Sequence, residues 1–216
     1  MPSPPAPLLQ NLASGAFRAR KIEGENAPDL ANALGDAAAQ GLQLFLSMAM
    51  VAPGAPAVVD PVSTSGATAG PGMLLPPPAG GPDASTLSGL AKGAIAGAGL
   101  IGDDAPKLGD AFGQTLGQAL TLFTAQVQVA PGVAVAGMVT VAPGTLMGAA
   151  PDASTVESLA KGFLAAQGLQ GEAIGDTAGA FGELIGGALS QLMSMAMMAP
   201  GVACTPAATA APGRLM

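Results

Sequence analysis

The chain reads as an α+β protein, mostly α, built from three tandem copies of one plan: a helix pair followed by an extended, β-forming tail. Internal repetition is the first observation that predicts it. Pro82–Met147 and Pro151–Met216 align without a gap at a spacing of 69, with 30 of 66 positions identical. A worn copy precedes them. Leu12-Ala13-Ser14-Gly15 and Ala52-Pro53-Gly54 lie 78 residues upstream of their counterparts, and Pro71-Gly72-Met73-Leu74 lies 72 upstream of its own, so this copy carries six extra residues in its tail. The second observation is a change of apolar period within each copy, from three-and-four to two. The modules are 1–78, 79–149 and 150–216, the first the most diverged.

The first helix of a copy is clearest in the third, where Ser154 followed by Glu157 fits a capping box. Val156, Leu159, Ala160, Phe163 and Leu164 then lie on one face, matched by Leu87, Leu90, Ala91, Ala94 and Ile95 in the second. Gly102-Asp103-Asp104 and Gly171-Glu172 mark the break between helices. The second helix carries the longer stripe: Leu30, Leu34, Ala38, Leu42 and Phe45; Leu108, Phe112, Leu116, Ala119, Leu120 and Phe123; Ile174, Phe181, Ile185, Ala188 and Leu192. Glycines 113, 117, 182, 186 and 187 lie in these helices although each lowers helix propensity by up to about 1 kcal/mol relative to alanine. Close helix contact is the expected compensation.

After each helix pair the pattern turns to period two with β-branched residues. Val127-Gln128-Val129, Val133-Ala134-Val135 and Met138-Val139-Thr140-Val141 read as short strands bounded by Ala-Pro-Gly, with Pro131 and Pro143 at edges or ends.

Composition limits what such modules can do alone. Half the residues are apolar, with alanine by far the commonest, six phenylalanines and no Trp or Tyr. A unit of about 70 residues with so few large side chains buries too little surface to stand by itself. The copies are expected to share a core or to lean on other chains, either as a pseudo-threefold imitation of a trimer or strung along a lattice. Charge points the same way, because 41 consecutive residues between Asp110 and Asp152 carry none. Such tails are expected to be covered by sister copies, sister chains or a partner.

Several function classes fall away. A net charge of -7 with seven basic residues does not suit nucleic-acid binding. The one cationic cluster, Arg18, Arg20 and Lys21, reads as a solvated turn balanced by Glu23 and Glu25. Without histidine there is no Ser-His-Asp or Cys-His site and no common nitrogen ligand for zinc. Asp103 with Asp104, and Glu172 with Asp176, read as solvated caps rather than acid/base pairs. Gly93-Ala94-Ile95-Ala96-Gly97 is not a phosphate loop, since no Gly-Lys-Ser/Thr follows it. Met193, Met195, Met197 and Met198 read as flexible apolar contact, and Cys204, in the place of Val135, as a small apolar side chain. No enzyme activity, cofactor or metal is expected. Glycine-zipper helices acting on a membrane are the alternative, but each long stripe meets Ala-Pro-Gly short of a span, and the second carries Gln114, Thr115, Gln118 and Thr121 along the way.

The module plan, an Ala-rich helix pair, a Val/Thr-rich segment and a closing Pro-Gly-x-Leu, resembles small virion proteins of tailed bacteriophages. That resemblance implies a capsid or tail accessory protein of a virion or phage-like particle, present in multiple copies among other protein subunits; Met1-Pro2-Ser3-Pro4-Pro5 has no basic region before an apolar core, so no secretory signal is expected and the protein is expected to be made in the cytoplasm. On this reading the tails cement neighbouring chains by burial and edge-strand hydrogen bonding. The contact residues would be Val127, Val129, Val133, Val135, Val139, Val141, Leu146, Met195, Met197, Val202 and Leu215.

Overall fold

The computed structural model describes residues 3–216. Each copy opens with a 14-residue helix and continues with a 22-residue one: α1 (Ala6–Ala19) and α2 (Ala27–Met48), α3 (Ala84–Gly97) and α4 (Ala105–Gln126), α5 (Ala153–Ala166) and α6 (Ile174–Met195). The inner residues of the long stripes, from Leu34 to Phe45, Phe112 to Phe123 and Phe181 to Leu192, are at most 1% exposed. Leu30, Leu108 and Ile174, at the outer ends, are half-buried.

The start of α5 differs from the capping box. Asp152, not Ser154, is the N-cap: its carboxylate accepts the Thr155 N–H at 2.8 Å, and the Ser154 hydroxyl donates to the same carboxylate at 3.1 Å. An aspartate ahead of the first turn satisfies the free amide without the serine. Glu157 is thereby left to Lys161 and Arg20. Asp83 caps α3 in the same way through Thr86.

Glycines bring the helices of each pair together. A Cβ at Gly113 would fall on the backbone of Ser88, and one at Gly182 on the carbonyl oxygen of Ala153. Between copies, the short helix of one module packs on the long helix of the module before it: α3 on α2, α5 on α4, and α1 on α6, which closes the circle. The long helices meet at the centre in two matched layers. Phe112 and Phe181 stand edge to face with centroids 5.0 Å apart, and Leu34 holds the corresponding place in the first module. Phe45 and Phe123 repeat the arrangement at 6.1 Å, with Leu192 in the third place. One hydrophobic cluster therefore draws on all three modules, which answers the shortage of large side chains in each.

The tails form two rings of strands. The first comprises β1 (Met50–Val51), β4 (Gly72–Met73), β5 (Val127–Val129), β8 (Gly144–Gly148), β9 (Met197–Met198) and β10 (Gly213–Arg214). Antiparallel pairing runs β4–β5–β8–β9, a bridge joins Met198 to Leu215, β10 pairs with β1, and Val51 bridges Leu74. Each module's closing strand thus pairs with the strand that follows the next module's long helix. The second ring comprises β2 (Ala57–Val59), β3 (Ser65–Thr68), β6 (Ala134–Ala136) and β7 (Val139–Thr140) with the third copy's segment 203–209. Bridges from Val139 to Ala203, Cys204 to Thr209 and Pro56 to Ala208 close it. Closure removes the open edges that strands otherwise present. The Ala-Pro-Gly corners adopt one conformation three times, with φ of 95° at Gly54, 93° at Gly132 and 96° at Gly201. That is the left-handed position glycine fills after proline in a type II turn.

Buried threonines tie the rings to the next module. Thr68 Oγ1 accepts the Val133 N–H at 3.0 Å, Thr140 the Val202 N–H at 2.9 Å, and Thr209 the Gly54 and Ala55 N–H groups at 3.0 Å. Thr140→Val keeps the shape but leaves Val202 N–H buried without this acceptor, a loss of about 1–3 kcal/mol. Chemical denaturation should show it as a lowered midpoint with unchanged slope.

Candidate functional site

The sequence distributes charge so that the two ends of the molecule differ. Residues 50–82 contain one charge, Asp60, residues 127–151 none, and residues 196–216 only Arg214. These segments build the rings. The other charges lie on the helices, at their starts and in the turns between them, so the helical pole is acidic and the ring pole nearly neutral. Exposed large apolar residues follow the opposite trend: Val58, Val62, Met73, Val139, Val141, Met147 and Met197 all belong to the tails, with Met48 just before them. The exceptions are Leu8 and Ile101.

The structure divides the eleven expected contact residues. Val127, Val129, Val133, Val135, Val202 and Leu215 are at most 5% exposed and are covered by this chain itself. They are inner residues of the rings and the core, not contacts for other chains. Leu146 and Met195 are half-buried. Val139, Val141 and Met197 remain on the surface, Val141 at 54%. Edge-strand pairing with a neighbour is likewise corrected: the edges are taken up by sister modules. Period two marked which residues alternate, but not that the far face of each strand is solvated. Val58, Val62 and Met73 lie outside the expected contact segments, and their sequence signal is an apolar side chain in a tail whose one charge is Asp60; Met147, at the end of the expected segment 127–147, is exposed.

Arg20 also departs from expectation. Its guanidinium reaches Glu183 at 2.8 Å and Glu157 at 3.2 Å, joining the first module to the third, rather than Glu23 or Glu25. Gly179 makes this possible: a Cβ there would collide with the guanidinium. In the second module the matching place belongs to Asp110, which pairs with Lys92 at 2.8 Å. Asp103, Asp104, Glu172 and Asp176 are exposed at helix starts, with Asp104 bonded to Lys107 at 2.8 Å. No group of three or more metal-ligating side chains gathers among the described residues. Cys204 sits inside the second ring with Ala57, Val59 and Val135, and burial pushes its thiol up. No helix among the described residues is long and apolar enough to cross a membrane.

The two capping carboxylates are held low by the bonds they accept. Bonds from Thr86 and Ser85 hold Asp83 below the usual carboxylate range, and bonds from Thr155 and Ser154 do the same for Asp152. Ionised in the fold, they stabilise it fully above the ordinary aspartate value of about 3.9, and that contribution disappears as pH falls through their lowered values. The melting-temperature gap between the native chain and an Asp83→Asn/Asp152→Asn variant should hold steady from neutral pH to about 5 and change only below about 4. A gap that drifts between neutrality and that point would contradict the assignment.

Compared with protein-family models, curated proteins and solved structures, the chain matches none.

Proposed function

We propose that this protein is a non-enzymatic structural component of a larger assembly, namely a capsid or tail accessory protein of a virion or phage-like particle, held there by its ring pole. The observation that carries the reading is the coincidence of exposed apolar side chains with absent charge. Val58 and Val62 are 68% and 90% exposed, yet the whole first tail carries one charge. Soluble surfaces ordinarily carry about a quarter to a third charged residues, and apolar patches of this kind mark contact sites. The resemblance of the module plan to phage virion proteins supplies the kind of assembly. A chain of three matched modules also suits a place otherwise filled by a trimer.

The test separates folding from assembly. Val141→Lys and Met147→Lys alter exposed side chains, so both variants should melt within about 2 °C of the native chain, in keeping with surface substitutions. Expressed with its native particle, the unaltered protein should sediment with the particle and the double variant should stay behind. A native chain that never sediments with any particle, or variants that assemble equally well, would overturn the reading.

A further inference from the structure

The helical pole carries a groove between the first and second modules. Where the α1–α2 turn meets the α3–α4 turn, Ile22 and Leu30 of the first module face Ile95, Leu100 and Leu108 of the second across about 380 Å³, and the only charged lining residues are Glu23 and Glu25. A second depression of about 490 Å³ shares Ile95, Leu100 and Ala105 with it and is walled further by Ile101, Lys92 and Asp103.

Ile101 is the telling residue. It is 89% exposed at the tip of a turn where the first module has Glu23 and the third Gln170. Its side chain contributes almost nothing to this fold. Around it the acids outnumber free cations. Glu23, Glu25 and Asp103 make no ion pair among the described residues, whereas Lys107 is bonded to Asp104 and Lys92 to Asp110. Of the cationic cluster, Arg20 is bound to Glu157 and Glu183, Arg18 lines an adjoining hollow with Phe17 and Glu23, and Lys21 is exposed on the turn, so three unpaired acids stand against these two cations.

We propose that this acid-rimmed apolar groove docks a basic amphipathic segment of a partner protein. Aliphatic side chains of the segment lie on Leu100 and Ile101, and its lysines or arginines meet Glu23, Glu25 and Asp103. Charge complementarity selects this occupant, since an acidic peptide or a nucleic acid meets the same rim with repulsion. The site is at the pole opposite the rings, so it stands or falls separately from the assembly role.

A fluorescent synthetic amphipathic helix of about 18 leucines and lysines serves as the probe, titrated into the full chain and followed by anisotropy and by methyl spectra. Binding should shift the Ile95 and Ile101 methyl signals, and should weaken about tenfold in Ile101→Lys and in Glu23→Gln/Glu25→Gln, a loss of about 1.4 kcal/mol. All three substituted side chains are exposed, so the fold is retained. The proposal is overturned by no binding, by unchanged binding in these variants, by equal binding of the leucine–glutamate counterpart, or by shifts confined to Val58 and Val141.

Discussion

Replacing Phe112 by Ala should cost about 3–5 kcal/mol, about a fifth or more of the stability of an ordinary domain. The ring lies fully buried in the central layer, edge to face with Phe181 in a core cluster that draws on all three modules, so its removal leaves a cavity inside that shared core. The cavity has little means of collapse, because the residues around it belong to three different long helices already in contact. Urea denaturation should report a large fall in midpoint. A cost below about 1 kcal/mol, the size of an ordinary surface change, would mean that the layer is not packed as described.

The second large effect comes from two glycines in one helix pair, where one substitution should have opposite signs. Gly113→Ala places a methyl group onto the backbone of Ser88 and Leu87, which side-chain rotation cannot relieve, so α3 must move away from α4. Overpacking of this kind costs about 1–3 kcal/mol. Gly93→Ala meets nothing within 4 Å on the exposed side of α3 and should stabilise by up to about 1 kcal/mol through helix propensity. Thermal melts of the two variants therefore bracket the native chain. If both move the same way, the glycines are not the reason for the short interhelical distance.

Much of this fold is legible in the sequence because repetition and period act locally. The long stripes fall on the buried faces residue by residue, and Ala-Pro-Gly marks each corner. Closure is not legible in the same way. That β10 pairs with β1, or that Thr209 accepts from Gly54, depends on strands more than 150 residues apart, and nothing in a two-residue strand names its partner. The capping residue of α5 was misplaced for a local reason: Asp152 and Ser154 are both good caps, and only the backbone turn decides between them. The exposed apolar face is half legible. Val139 and Val141 belong to a charge-free tail and are exposed, as is Met197 in a tail whose one charge is Arg214, whereas Val127 and Val133 share the charge-free tail and are buried. Lack of charge accompanies both the tail residues that sister modules cover and those left exposed, and sequence alone does not separate them. Arg20 shows the same limit, since its partners come from the third module.

The central claim is that three modules fold as one closed body around a shared core. Hydrogen exchange followed by mass spectrometry in rising denaturant tests it, read separately over α2, α4 and α6. The slowest amides of all three helices should open together with one free energy, and Phe112→Ala should lower all three by the same amount, although α2 belongs to the first module and the substitution to the second. Loss of protection in α4 and α6 with α2 unchanged would show modules that fold independently, and would contradict the account.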